Sequence, residues 1–117
     1  MRVLRFIHKT ATLLVLAVGV IHTLATFYFF DELTEEAVWF AGAGLGGIFI
    51  AFLNLRFWHR PLELRKRWLT DSANILFVIW LFAGAVATPQ PPSFVVALVG
   101  SSMALSGLLL PRRESAQ

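Results

Sequence analysis

The chain contains no cysteine, and this absence removes several kinds of chemistry at once. Without a thiolate there is no disulfide, iron–sulfur cluster, cysteine-ligated zinc site or covalently attached haem. Charged residues are also scarce, at 15% of the 117 residues, where a soluble domain usually has about 25%. Hydrophobic residues make up 57%, which is more apolar surface than a soluble core of this size can bury. The composition therefore predicts a single membrane-embedded domain over residues 1–117.

Catalytic motifs are missing as well. The sequence has no His-x-x-x-His, no Glu-x-x-His and no Gly-x-Ser-x-Gly, the spacings typical of metal and nucleophile sites. The glycine-rich stretch at 42–47 lies within an apolar run and lacks the Lys-Ser/Thr of a phosphate-binding loop. Basic residues flank apolar runs, so we expect no nucleic-acid partner despite the net positive charge. These observations favour a non-enzymatic protein.

Four apolar runs are long enough to cross a bilayer as helices. Their predicted limits are about 6–30, 37–57, 69–88 and 93–110. The first run follows a basic start, as in a signal peptide, but it continues about ten residues past a stretch that resembles a cleavage site. We therefore expect a retained helix. Thr34 is expected to cap the second helix and Ser93 the fourth.

The distribution of charge predicts the orientation. All ten lysines and arginines lie in the first nine residues, in the segment 56–67 or in the C-terminal tail. The other two connections have none and hold four of the seven acidic residues, Asp31, Glu32, Glu35 and Glu36. The positive-inside rule then places both termini and a basic loop at 58–68 in the cytoplasm. The predicted fold is an all-α integral membrane protein, an up-down four-helix transmembrane bundle, in the bacterial inner membrane because no organelle signal is present.

The basic residues of the central segment have two interpretations. The simpler one is a topology signal that also binds anionic lipid headgroups, each cation contributing about 1 kcal/mol. The alternative is a docking site for an acidic partner. The candidate headgroup-binding residues are Arg56, Arg60, Arg65, Lys66 and Arg67.

Polar residues within the spans form two predicted layers, because polar groups in hydrocarbon are costly and usually face the bundle interior. The inner layer contains Thr12, Asn54, Asp71, Asn74 and Ser106. Its simplest role is interhelical hydrogen bonding, at about 0.6 kcal/mol for each bond. The alternative is a polar pocket open to the cytoplasm, with Asp71 as its ionisable member.

The outer layer centres on His22, which shares one helical face with Thr26. Counting 1.5 Å per residue from each span end places Ser101, Ser102 and Met103 at the depth of His22. The simplest interpretation is a neutral imidazole hydrogen-bonded to a serine or to a backbone carbonyl. The alternatives are a proton-relay or substrate-binding histidine, or a haem or copper site with Met103 or a second copy of His22. We expect no bound cofactor.

The second span contains two small-residue pairs at i and i+4, Gly42 with Gly46 and Ala43 with Gly47. Such pairs let helix backbones approach closely in lipid. They favour a helix-packing accessory subunit of a larger membrane complex, or a homo-oligomer. Two alternative functions stay open. One is a small transporter or channel component with His22 as gate or proton site, and the other is a module that binds haem, quinone or lipid.

Overall fold

The computed structural model describes residues 1–56 and 64–111, and these residues form four α-helices without any strand. The helices are α1 Arg2–Phe29, α2 Glu35–Leu55, α3 Leu64–Ala87 and α4 Pro91–Leu109. The four predicted helices are confirmed, and each begins two to five residues before its predicted apolar run. In α1, α2 and α3 the added residues include charged ones that also favour helix but that hydropathy does not detect. The α2–α3 connection at 57–63 and the tail at 112–117 lie outside the described residues.

Each helix is long and apolar enough to cross a membrane. Large apolar side chains lie on the outside, with Phe27 82%, Val86 77% and Leu76 67% exposed. The buried positions are mostly alanine, glycine and short polar residues. A soluble domain hides its large apolar side chains, so this reversal, together with helix length, indicates a membrane protein.

Helix α1 has the most extensive packing, with α2 on one side and α4 on the other. Helix α3 packs against α4, and its contact with α2 is the smallest of the four. Within α1, Val15 and Gly19 face Gly47 and Gly44 of α2 in reverse order, so these two helices are antiparallel. A small apolar core lies between the helices and consists of Ala11, Val15, Ile50, Ala51 and Met103.

The two caps predicted from the sequence have different outcomes. Thr34 caps α2, because its hydroxyl oxygen accepts a hydrogen bond from the Ala37 N–H at 3.2 Å. The Ser93 cap is wrong, because α4 already begins at Pro91 with Gln90 as its N-cap residue. A proline in the first turn loses no intrahelical hydrogen bond and has its φ angle preset for a helix. The two prolines therefore start α4 earlier than Ser93.

Helices α1 and α4 do not end at the same level on the side of the bundle away from the N-terminus. His8 of α1 lies beside Met103 and Ser106 of α4. Because each residue rises 1.5 Å, the first residue of α4 is level with about His22. The segment 23–29 of α1 therefore extends about 10 Å beyond the start of α4. This offset decides which side chains of α1 and α4 share a level.

Candidate functional site

Buried polar side chains gather toward the end of the bundle that holds the N-terminus. In the described part of the chain they are His8, Thr12, Asn54, Thr70, Asn74 and Ser106. We use the name polar cluster for five of them, His8, Thr12, Asn54, Asn74 and Ser106. Every helix contributes at least one member. Four of the five residues of the predicted inner layer belong to this cluster, and the fifth, Asp71, lies at its edge with 18% of its side chain exposed.

The first half of the polar cluster is a pair of amides that joins α2 to α3. Asn54 Nδ2 donates to Asn74 Oδ1 at 2.7 Å, and Asn74 Nδ2 donates to Asn54 Oδ1 at 2.9 Å. Asn54 Nδ2 also donates to the Ile50 carbonyl oxygen at 2.8 Å. Both side chains are about 1% exposed. A buried amide needs partners of this kind because an unmade hydrogen bond costs about 1–3 kcal/mol.

The second half joins α1 to α4 through His8, which is 4% exposed. His8 Nδ1 lies 3.0 Å from the Met103 carbonyl oxygen and 3.1 Å from Ser106 Oγ. A carbonyl oxygen can only accept, so Nδ1 carries a proton and donates it. Ser106 Oγ donates its own hydrogen to the Ser102 carbonyl at 2.6 Å, which leaves its oxygen able to accept from His8. Thr12 Oγ1 donates to the His8 carbonyl at 2.7 Å.

The two halves of the cluster meet at Gly107 of α4. A Cβ atom added there would lie 3.2 Å from His8 Cε1 and 3.8 Å from Asn74 Nδ2. The bare backbone of α4 thus approaches both side chains closely. A larger residue at position 107 would have to push the imidazole or the amide aside.

An arginine closes this end of the bundle. Arg67 Nη2 donates to the carbonyl oxygens of Gly107 and Leu110, each at 2.7 Å, and to that of Leu108 at 3.3 Å. Its Nε lies 3.5 Å from Asp71 Oδ2. The last carbonyls of a helix lack intrahelical partners and form the negative end of its dipole. Arg67 therefore fixes the C-terminus of α4 to α3.

The basic residues of the central segment do not share one environment. Arg67, which was predicted to bind lipid headgroups, has a side chain that is 15% exposed and turns toward α4 and Asp71. Arg56 and Lys66 are exposed, and their binding of headgroups stays a prediction. Arg60 and the side chain of Arg65 lie outside the described residues, as does most of the predicted loop 58–68.

His22 lies toward the opposite end of α1 in aromatic surroundings. Its ring stacks on Phe40 of α2, with centroids 3.8 Å apart and an interplanar angle of 19°. Phe29 and Phe30 also contact Phe40, with centroids 6.2 and 5.6 Å away. Thr26 Oγ1 donates to the His22 carbonyl at 3.4 Å. The half-buried imidazole thus packs between α1 and α2, and its role as a gate or proton site stays a prediction.

The residues of α4 that were expected beside His22 lie elsewhere. Ser101 and Ser102 donate to the carbonyls of Ala97 and Leu98 within their own helix. The carbonyl of Met103 accepts from His8, which is about 21 Å from His22 along α1. The prediction that Met103 shares the depth of His22 is therefore wrong, and the two do not form a pair of metal ligands. The depth count assumed flush helices, whereas α1 extends beyond the start of α4.

The glycines of α2 divide into two faces. Gly44 and Gly47 face α1: a Cβ added at Gly44 would lie 2.7 Å from the Gly19 carbonyl oxygen, and one at Gly47 would lie 3.4 Å from Gly19 Cα. Gly42 and Gly46 have open space, with no atom within 4 Å of an added Cβ. Ala43 is half-buried between the two faces. Of the predicted packing residues, Gly47 packs within the chain, while Gly42 and Gly46 form an open glycine face.

Sequence reasoning missed several residues that position these sites. His8 lies one turn before Thr12 on the same face, and this spacing was a signal that the inner layer included it. Gly19, Gly44 and Phe40 also share faces with predicted residues, but only the pairing of α1 with α2 shows what they contact. Over the described residues, no three histidine, aspartate or glutamate side chains come together as a metal site requires. The polar cluster is an arrangement of amide, hydroxyl and imidazole groups that form hydrogen bonds from α1 to α4 and from α2 to α3.

Comparison with known proteins adds no further assignment to this geometry. No family model, no curated protein and no solved structure matches the chain.

Proposed function

We propose that the chain is a non-enzymatic, four-span helix-packing subunit that associates through its open glycine face with a transmembrane helix, either of a second copy or of a larger membrane complex. In this proposal both termini and the central basic segment lie on the cytoplasmic side, in the inner membrane of a bacterium. The observation that carries the proposal is the division of the α2 glycines into an occupied face and an open one.

The interior of the bundle supports a structural role for the buried groups. The Asn54–Asn74 pair joins α2 to α3, and the His8 contacts join α1 to α4. Arg67 fixes the end of α4 to α3. Hydrogen bonds of this kind between membrane helices contribute modestly to stability, with an average near 0.6 kcal/mol. Because these buried polar side chains bond to other helices of the same chain, we expect a partner to bind on the outer surface of the bundle.

The open glycine face supplies such a place. Gly42 and Gly46 are one helical turn apart, and the exposed side chains of Leu45 and Phe49 stand beside them. Two glycines at this spacing let a second backbone approach closely in lipid, and the flanking apolar side chains then gain packing contacts. Gly44 and Gly47 show the same effect within the chain, where the α1 backbone occupies the groove they leave.

Leucine substitutions test the proposal directly. Gly42→Leu and Gly46→Leu should each weaken association at least tenfold, because the new side chain holds the partner backbone away. The matched control is Gly84→Leu in α3, since Gly84 also has no atom within 4 Å of an added Cβ but has Trp80 and Thr88 four residues away. Energy transfer between labelled copies in liposomes measures homo-association, and co-purification from native membranes detects another partner. Unchanged association and unchanged co-purification in both variants would overturn the proposal.

A further inference from the structure

Two polar atoms of the polar cluster lack partners among the residues that the structure describes. His8 Nδ1 donates to Met103, so in a neutral imidazole Nε2 carries the lone pair and needs a donor. No described residue supplies one. Asn74 Nδ2 has two hydrogens, and among the described residues Asn54 Oδ1 is the one acceptor within hydrogen-bond distance of them. The second N–H of Asn74 therefore has no acceptor among the described residues, although the side chain is only 1% exposed.

The two atoms belong to side chains that flank one residue. A Cβ atom added at Gly107 would lie 3.2 Å from His8 Cε1, 3.5 Å from His8 Nδ1 and 3.8 Å from Asn74 Nδ2. The imidazole that carries the unpaired Nε2 and the amide that carries the unpaired N–H therefore both lie within 4 Å of one point of α4. Water satisfies such a combination with a single molecule, because it donates and accepts at once, and buried water typically binds polar groups that the protein leaves unpaired.

We propose that the polar cluster contains a hydration site, in which one water molecule donates to His8 Nε2 and accepts from Asn74 Nδ2. The charged groups near this site are Arg67 and Asp71 of α3, which act electrostatically on His8 and are 15% and 18% exposed. Both side chains are partly exposed and pair with each other, with Arg67 Nε 3.5 Å from Asp71 Oδ2. The site makes His8 a buried proton acceptor in contact with water.

Solid-state NMR of histidine-labelled protein in liposomes tests this inference. The His8 signals are assigned as those lost in His8→Gln. We expect the tautomer with a proton on Nδ1, and magnetisation transfer from water to the His8 ring several-fold faster than transfer from lipid chains. His22 is the internal control, because its ring stacks on Phe40 toward the other end of the helix.

A second variant separates the hydration site from the general water content of the bundle. Asn74→Leu removes the N–H proposed to donate to the water and should slow water transfer to His8 several-fold. Asn54→Leu leaves the Asn74 N–H in place and should slow the transfer less. A His8 ring protonated on Nε2 alone in the unmodified protein would overturn the proposal. So would transfer to His8 from lipid chains alone. The tautomer and the source of magnetisation transfer are both measured on the unmodified chain, so these two tests do not depend on whether a variant folds.

Discussion

Single side chains of this protein are paired across helices with little redundancy. In the described segments, the hydrogen bonds between α2 and α3 are the two that join Asn54 to Asn74. Of the four helix pairs in contact, α2 and α3 also have the smallest packing contact. His8 has the corresponding role between α1 and α4. Because a lost partner leaves a buried polar group unsatisfied, single substitutions at these positions should cost more than the hydrogen bond itself contributes.

The asparagine pair gives the clearest prediction at this scale. Asn54→Leu and Asn74→Leu should each lower the free energy of unfolding by about 1–3 kcal/mol, since each leaves the other buried amide without its interhelical hydrogen bonds. The double variant should be less destabilised than the sum of the two, with a coupling of about 0.6–1.7 kcal/mol. Unfolding by SDS titration in mixed micelles measures all three. Strict additivity would mean that the two amides are not partners.

Arg67 gives a second prediction. Arg67→Met keeps the length of the apolar stem but removes the donor to three α4 carbonyls, so the last turn of α4 should fray. Hydrogen exchange of the Leu110 amide, which donates to the Ser106 carbonyl, should then accelerate at least tenfold. Lys66→Met, a neighbouring cation on an exposed side chain, is the control. Equal protection of Leu110 in both variants would show that Arg67 does not cap α4.

At the scale of whole helices, the sequence predicts the four spans but not which helices pack against each other. Apolar runs define four helices, and the Thr34 cap follows from local chemistry alone. The partner of His8 is a backbone carbonyl on another helix, which no side-chain pattern shows. Met103 was misplaced because helix depth depends on how far each helix extends past its neighbour. The two faces of the α2 glycines likewise separate only when the position of α1 is known.

The two faces of α2 predict opposite responses to one small substitution. Gly44→Ala should lower the free energy of unfolding by about 1–3 kcal/mol, because its Cβ meets backbone atoms of α1 that cannot move independently. Gly42→Ala should leave stability unchanged or raise it by up to about 1 kcal/mol, since alanine favours helix and the position is open. SDS unfolding of both variants below the concentration of association tests this. Equal destabilisation would contradict the assignment of the faces.

At the scale of the whole molecule, the long apolar helices and the segregated charges predict a single arrangement in the bilayer. Four spans bring the α1–α2 and α3–α4 connections to one surface and the α2–α3 connection to the other. The first two connections have no lysine or arginine, and all ten such residues lie in segments that this arrangement would bring to the opposite side. This arrangement predicts that the polar cluster is near the cytoplasmic surface and that His22 is toward the outer one.

Cysteine labelling in intact cells tests this arrangement most directly, because the chain has no cysteine of its own. Single cysteines replace Leu33 in the α1–α2 connection, Gln90 in the α3–α4 connection and Arg56 at the end of α2. Four spans predict that a membrane-impermeant maleimide labels positions 33 and 90 from outside and labels position 56 only after the membrane is opened. Labelling of positions 33 and 56 from the same side would contradict the four-span arrangement.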